Sequence, residues 1–166
     1  EYDHDTRNIA WGLIDGQQFP TIPGLLGIAD FPDGGTHDGL TRVVRDRYTS
    51  GTTKLPVTNS IQPGSPYFIT YTHELGHSVG LSHPHHNASQ GGWTTFPGVT
   101  HNVSNQLGDN NLNASPYSVM TYNHVNMTSL TPSTWGSPYC GCLTCLGAFD
   151  IAATQYLYGP NTFTRR

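Results

Sequence analysis

Two histidines four residues apart, a glutamate beside the first, and a third histidine further on can together perform metal-assisted hydrolysis. The chain carries this set as His73-Glu74-Leu75-Gly76-His77-Ser78-Val79-Gly80-Leu81-Ser82-His83. On a helix, His73 and His77 stand one turn apart on the same face, so two imidazoles reach one ion. Glu74 lies beside them, placed to take a proton from a water held by that ion rather than to bind the ion itself. Gly80 accepts the left-handed conformation that ends helices, which lets the chain turn back and present His83 as a third nitrogen ligand. Three protein ligands with one open position is the arrangement of a catalytic zinc site. The chain contains two glutamates, Glu1 and Glu74, so its one internal copy stands inside this motif.

The elements that must position these residues follow from local signals. The metal helix is predicted from about Ser65 to Gly80, with Ser65 as N-cap and Pro66 in the first turn. Tyr67, Phe68 and Tyr71 would pack it against a sheet. Upstream, Asn8–Ile14 is apolar enough for a short strand closed by the turn Asp15-Gly16. Gly24–Gly35 predicts a second strand, and Pro32 near its end suits a sheet edge. Between residues 36 and 50, Leu40, Val43 and Val44 fit helical and strand periods alike. Arg42, Arg45 and Arg47 in that stretch read as a solvated face. Residues 51–66 read as loop.

Residues 84–116 are polar and rich in Gly and Asn. His85, His86 and His101 in this stretch read as exposed loop histidines rather than a second metal site. Asp109 among asparagines makes Ca²⁺ a second candidate cofactor, although no complete calcium loop is present. The segment Asp150–Gly159 has helical apolar spacing, and Gly159-Pro160 stops it.

Length and composition bound the class. At 166 residues the chain fits one domain, 1–166, with 35% hydrophobic and 11% charged residues, a loop-rich globular composition. A formal charge of −4 with seven Lys plus Arg excludes nucleic acid as the main partner. No apolar run approaches the roughly 20 residues of a membrane helix. The chain begins Glu1-Tyr2-Asp3 without a signal peptide, so a processed or trimmed protein is expected. Four sequons, at Asn87, Asn102, Asn113 and Asn126, favour a secreted, extracellular protein. Cys140, Cys142 and Cys145 then read as disulfide-forming rather than zinc-binding, and a Cys140–Cys145 bridge is feasible. Their odd number leaves one thiol free or paired with a partner chain.

The eleven-residue histidine motif resembles that of the metzincin zinc metallopeptidases. Ser118-Val119-Met120-Thr121-Tyr122 resembles their Met-turn, in which a methionine forms a hydrophobic base beneath the zinc ligands. Tyr122 follows Met120 by two residues, the spacing of the tyrosine that reaches zinc in serralysins and astacins. The segment 150–159 resembles the last helix of the serralysin catalytic domain, with matrixins the runner-up. Gly27-Ile28-Ala29-Asp30-Phe31-Pro32 resembles the strand that rims the cleft. The likeness runs from about Gly24 to Arg166.

This resemblance implies an α+β, metzincin-like zincin domain: a twisted mixed sheet, a zinc-binding helix, a C-terminal helix and a loop-rich lower half. It implies Zn²⁺ held by His73, His77, His83 and Tyr122, with Glu74 and Tyr122 catalytic and Met120 structural. Gly27, Ile28, Ala29, Asp30 and Phe31 would bind an extended peptide or protein substrate as an added strand. The elements that usually precede the edge strand have no counterpart, so a truncated domain is expected. Its apolar sheet surface would be exposed or covered by a partner chain. The function so implied is zinc-dependent endopeptidase, with Glu74 as general base. The rival is a structural, matrix or assembly-forming protein that reuses the fold with little or no turnover.

Overall fold

A computed structural model describes residues 9–14, 25–34, 37–44, 63–87, 89, 94–123 and 143–162. The segment that fits both periods forms a strand, β3 (Leu40–Val44), between β1 (Ala10–Ile14) and β2 (Gly27–Ala29). Branched Thr41, Val43 and Val44 suit this central place, where they are at most 1% exposed. β1 pairs with β3 in parallel, Ala10 opposite Leu40 and Ile14 opposite Val44. β2 pairs with β3 antiparallel, Gly27 opposite Val43. The sheet is therefore mixed, and among the described strands β2 lies at one edge.

Helix α1 (Pro66–Ser78) packs against β2 and β3. Ser65 caps it as expected, its Oγ accepting the Phe68 N–H at 3.1 Å, and Pro66 occupies the first turn. The helix ends two residues before Gly80 because the chain enters a Schellman turn there. Gly80 N–H donates to the His77 carbonyl and Leu81 N–H to the Gly76 carbonyl, both at 2.9 Å. Gly80 needs its φ of 92° for this, a value that L side chains rarely adopt. Tyr71 packs on Val43, and Ser78 Oγ hydrogen-bonds Thr41 Oγ1, so one face of β3 lies against α1. The side chain of Tyr67 lies outside the described residues.

The second half of the described chain is mostly irregular, with one 3-10 turn at Asp109–Asn111 and a helix, α2 (Ala148–Tyr158). This helix starts two residues earlier than its apolar spacing predicts, because Asp150 accepts the Gly147 N–H at 2.8 Å and closes the first turn. Gly159 ends it as expected. The described fold is α+β.

Apolar packing divides into two small clusters. One holds Val43 with Leu26 and Tyr71; the other holds Leu81, Val119 and Met120 with Val79, Leu143 and Leu146. The expected exposure of apolar sheet surface is found on β1, where Trp11 is 57% exposed beside exposed Ile9 and Leu13. The Trp11 ring lies 4.0 Å from that of Tyr71, centroid to centroid. On α2, Phe149, Ile151, Leu157 and Tyr158 are exposed as well. No described helix is long and apolar enough to cross a membrane. Arg42 departs from the solvated face read for it: it pairs with Asp30 at 2.7 Å. Arg45 and Arg47 lie outside the described residues, as do Cys140 and Cys142.

Candidate metal centre

His73 and His77 project from one face of α1, both buried. His73 Nδ1 lies 2.7 Å from the Val119 carbonyl, and His77 Nδ1 lies 2.7 Å from the Leu81 carbonyl. A carbonyl can only accept, so each Nδ1 carries the ring hydrogen and each Nε2 presents a bare lone pair. His83 Nε2 stands 2.9 Å from His73 Nε2 and 3.1 Å from His77 Nε2. His83 has at most one hydrogen to offer there, and two lone pairs face it. A cation between the three nitrogens satisfies all of them. Metal–nitrogen bonds of about 2.0–2.1 Å place tetrahedral ligands about 3.3 Å apart, so the observed separations fit an ion with slight expansion. Burial holds His77 neutral, its pKa lowered to about 4, and drives His83 in the same direction, helped by the neighbouring histidines.

Local sequence explains part of this arrangement. The helical repeat stacks His73 over His77, and the turn at Gly80 both returns His83 and aims the Leu81 carbonyl at His77. Gly76 leaves room beneath the helix: a Cβ there would stand 2.5 Å from Met120 Sδ. Met120, 2% exposed, therefore lies against the helix that carries His73 and His77. The preceding residue, Val119, supplies the carbonyl that orients His73.

Asp150 holds that turn and was not singled out from sequence. It is 3% exposed and accepts from Ser118 Oγ at 2.6 Å, Val119 N–H at 2.7 Å and Gly147 N–H at 2.8 Å. An aspartate near a helix start is an ordinary capping signal; its reach to a turn 31 residues away is visible only in three dimensions.

Glu74 is buried against the sheet edge rather than open to solvent. A Cβ on Gly27 would stand 2.6 Å from Glu74 Cγ and 2.7 Å from Oε1, so only glycine permits this approach of β2 to α1. Burial pushes the Glu74 carboxyl up to about 8. Tyr122 places its hydroxyl 2.9 Å from His83 Nε2. Desolvation raises the Tyr122 hydroxyl, and the Glu74 charge adds to it, so these two groups share one electrostatic environment. Its ring is half exposed, so the hydroxyl reaches into the cluster from a rim open to solvent.

The five residues read as a substrate strand divide in the structure. Gly27 is buried on Glu74, and Ile28 and Ala29 are half-buried on the edge strand. Asp30 donates its N–H to the Leu40 carbonyl at 3.1 Å and binds Arg42 through its carboxylate. Phe31 sets its ring 5.3 Å from that of His77. The segment thus borders the histidine cluster.

Two loop histidines overturn the expectation made for them. His85 is 7% exposed, its ring stacked on His83 with centroids 5.0 Å apart, and His86 is half-buried against His83. The sequence carried a signal in the density His83-Pro84-His85-His86, but which way a loop turns its side chains is not periodic. His101 is exposed, as expected. Among the described residues, two groups could hold a metal ion, His73/His77/His83 and His83/His85/His86. Asp109, the calcium candidate, belongs to neither.

Two smaller expectations are also placed. Asn113 of the third sequon is 2% exposed, its Nδ2 donating to the Gln106 carbonyl at 2.7 Å, so the folded chain offers no glycan acceptor there. Cys145 is exposed and free among the described residues. No protein-family model matches the chain, and no curated protein matches it.

Proposed function

We propose that the chain is a zinc-dependent endopeptidase acting on extended protein or peptide segments outside the cell. One observation carries this reading: three imidazole nitrogens converge, two with their tautomers set by carbonyls, beside a buried carboxyl and a tyrosine hydroxyl. Three imidazoles and an open side suit zinc in a catalytic setting. Zinc held there supplies Lewis acidity and lowers the pKa of water to about 7. Glu74 accepts a proton from the attacking water and returns it to the departing amine. Its burial leaves the carboxylate poorly solvated and raises its proton affinity, which suits a general base.

Tyr122, at the open rim, donates a hydrogen bond to the oxyanion that develops on the scissile carbonyl. Strand β2, outermost with β1 among the described strands, offers main-chain groups to an extended substrate, while Gly27 serves mainly to seat Glu74. Met120 forms the apolar floor, and Asp150 holds the turn that carries it. The motif's resemblance to metzincins, serralysin-like before matrixin-like, supports the same assignment.

Glu74→Gln tests it. The amide keeps the shape and leaves three histidines for the ion but cannot act as base. Hydrolysis of a peptide library should fall by at least about 10²–10⁴-fold with zinc content unchanged. A second reading, an assembly-forming protein with little turnover, is favoured by exposed Trp11, Leu13, Ile151 and Leu157. Zinc-loaded wild-type chain that cleaves nothing in the library, yet forms a stable oligomer, would establish that reading instead.

A further inference from the structure

The imidazole of His83 has a second side. Its Nε2 faces His73 and His77, while its Nδ1 lies 3.2 Å from each ring nitrogen of His86. The His83 and His86 rings stand at 85°, with centroids 4.4 Å apart. Because Nδ1 is equidistant from the two nitrogens of His86, neither lone pair aims straight at it, as a simple hydrogen bond requires. Across the same space lies His85, only 7% exposed, whose buried Nδ1 has no hydrogen-bond partner. An unpartnered ring nitrogen at that depth is costly unless something coordinates it. One ring nitrogen from each of His83, His85 and His86 falls within 4.8 Å of the others.

We propose that His83, His85 and His86 form a second metal site for a divalent late first-row ion such as Zn²⁺ or Cu²⁺, with His83 bridging two ions through its two ring nitrogens. The ligand set is all imidazole, which suits zinc and copper and not the oxygen-seeking Ca²⁺ or Mg²⁺. The His85 ring, now parallel to His83 at 11°, and the His86 ring turn on ion binding to bring the three nitrogens onto bonds of about 2.0–2.1 Å. The main chain holds the loop in place for this: His86 N–H donates to the His83 carbonyl at 3.0 Å, Asn102 N–H to the His85 carbonyl at 2.9 Å, and Phe96 N–H to the Pro84 carbonyl at 2.8 Å. With both nitrogens coordinated, His83 becomes an imidazolate, and its one ring proton passes to solvent. The second site is a matter of coordination and stands whether or not the chain cleaves peptides.

The test uses the full chain stripped with chelator, reloaded with excess Zn²⁺ and desalted, with metal measured by elemental analysis. Wild type should retain two ions per chain, whereas His85→Gln and His86→Gln should each retain one. His86 is half-buried, so His86→Gln decides the matter if His85→Gln does not fold. In chain loaded with Cu²⁺, two ions joined by one imidazolate couple magnetically. Integrated EPR intensity should therefore fall well below that of two isolated coppers in wild type and equal one copper in His86→Gln. One ion per folded wild-type chain overturns the second site, and so does a second ion that survives His86→Gln. Two coppers of full, uncoupled intensity overturn the bridge. Loss of peptide cleavage with two ions retained would count against the proposed enzyme and leave this site intact.

Discussion

His73 and His77 on the helix are each held by a main-chain carbonyl, while on the loop His83 meets the helical pair, Tyr122 and His86, and His85 and His86 pack on His83. In the helical pair the partner can only accept, so the tautomer is chosen before any ion arrives. In the loop trio His83 Nδ1 faces both ring nitrogens of His86, and His85 Nδ1 has no hydrogen-bond partner, so no carbonyl fixes their tautomers in the same way. The lesson is a division of labour. A rigid half presets the direction of two ring nitrogens, and an adaptable half supplies the others of the two groups that could hold an ion.

The hardest break of this contrast is His77→Ala, which removes one preset ligand. Two nitrogens hold a tetrahedral ion poorly, so the ion between His73 and His83 and all metal-dependent hydrolysis should be lost together. Elemental analysis with a peptidase assay checks this; retained hydrolysis would place the chemistry elsewhere. Tyr122→Phe probes the adaptable side more gently. It should lower kcat by about 10²–10³-fold, the usual cost of losing one oxyanion donor, with zinc affinity changed far less. Equal losses in both would make Tyr122 a ligand first and a catalyst second.

Asp150→Ala acts on the preset half from a distance. Three donors, from Ser118, Val119 and Gly147, lose their shared acceptor, and unfolding in urea should show a loss of about 3 kcal/mol. Zinc affinity should fall as well, because the Val119 carbonyl no longer orients His73. An unchanged zinc affinity in the folded variant would detach the Met120 turn from the metal helix.

The smallest expected effect is a pH slope in the metal-free chain. Burial lowers His77 from 6.5 to about 4, so the unfolded state binds the extra proton in that window and stability rises with pH there. Burial raises Glu74 from 4.5 to about 8, so the folded state keeps its proton longer and stability falls as pH rises from 4.5 to 8. Between pH 6.5 and 8 the Glu74 slope acts without the opposing one from His77. Stability of the chelated chain should drop there by about 2 kcal/mol. Zinc should flatten the slope by favouring ionised Glu74. Equal stability at both pH values, measured by urea unfolding without metal, would mean that Glu74 is better solvated than its packing on Gly27 implies.

Much of the site was legible because it is local. The stacking of His73 over His77, the Ser65 cap and the turn at Gly80 all depend on residues one helical turn apart, and a helix repeats that spacing whatever surrounds it. Met120 and Tyr122 were legible only through resemblance, since a methionine and a tyrosine carry no periodic signal of their own. Tertiary structure alone decided that residues 40–44 are a strand, because pairing on both sides with β1 and β2 resolves a pattern that fits either period. It decided that Gly27 makes room for Glu74 and that Asp150 holds the turn behind His73. It also decided that His85 is buried beside His83. Each of these is a contact set by packing between segments or by the path of an irregular loop, and no short-range repeat in the chain encodes it.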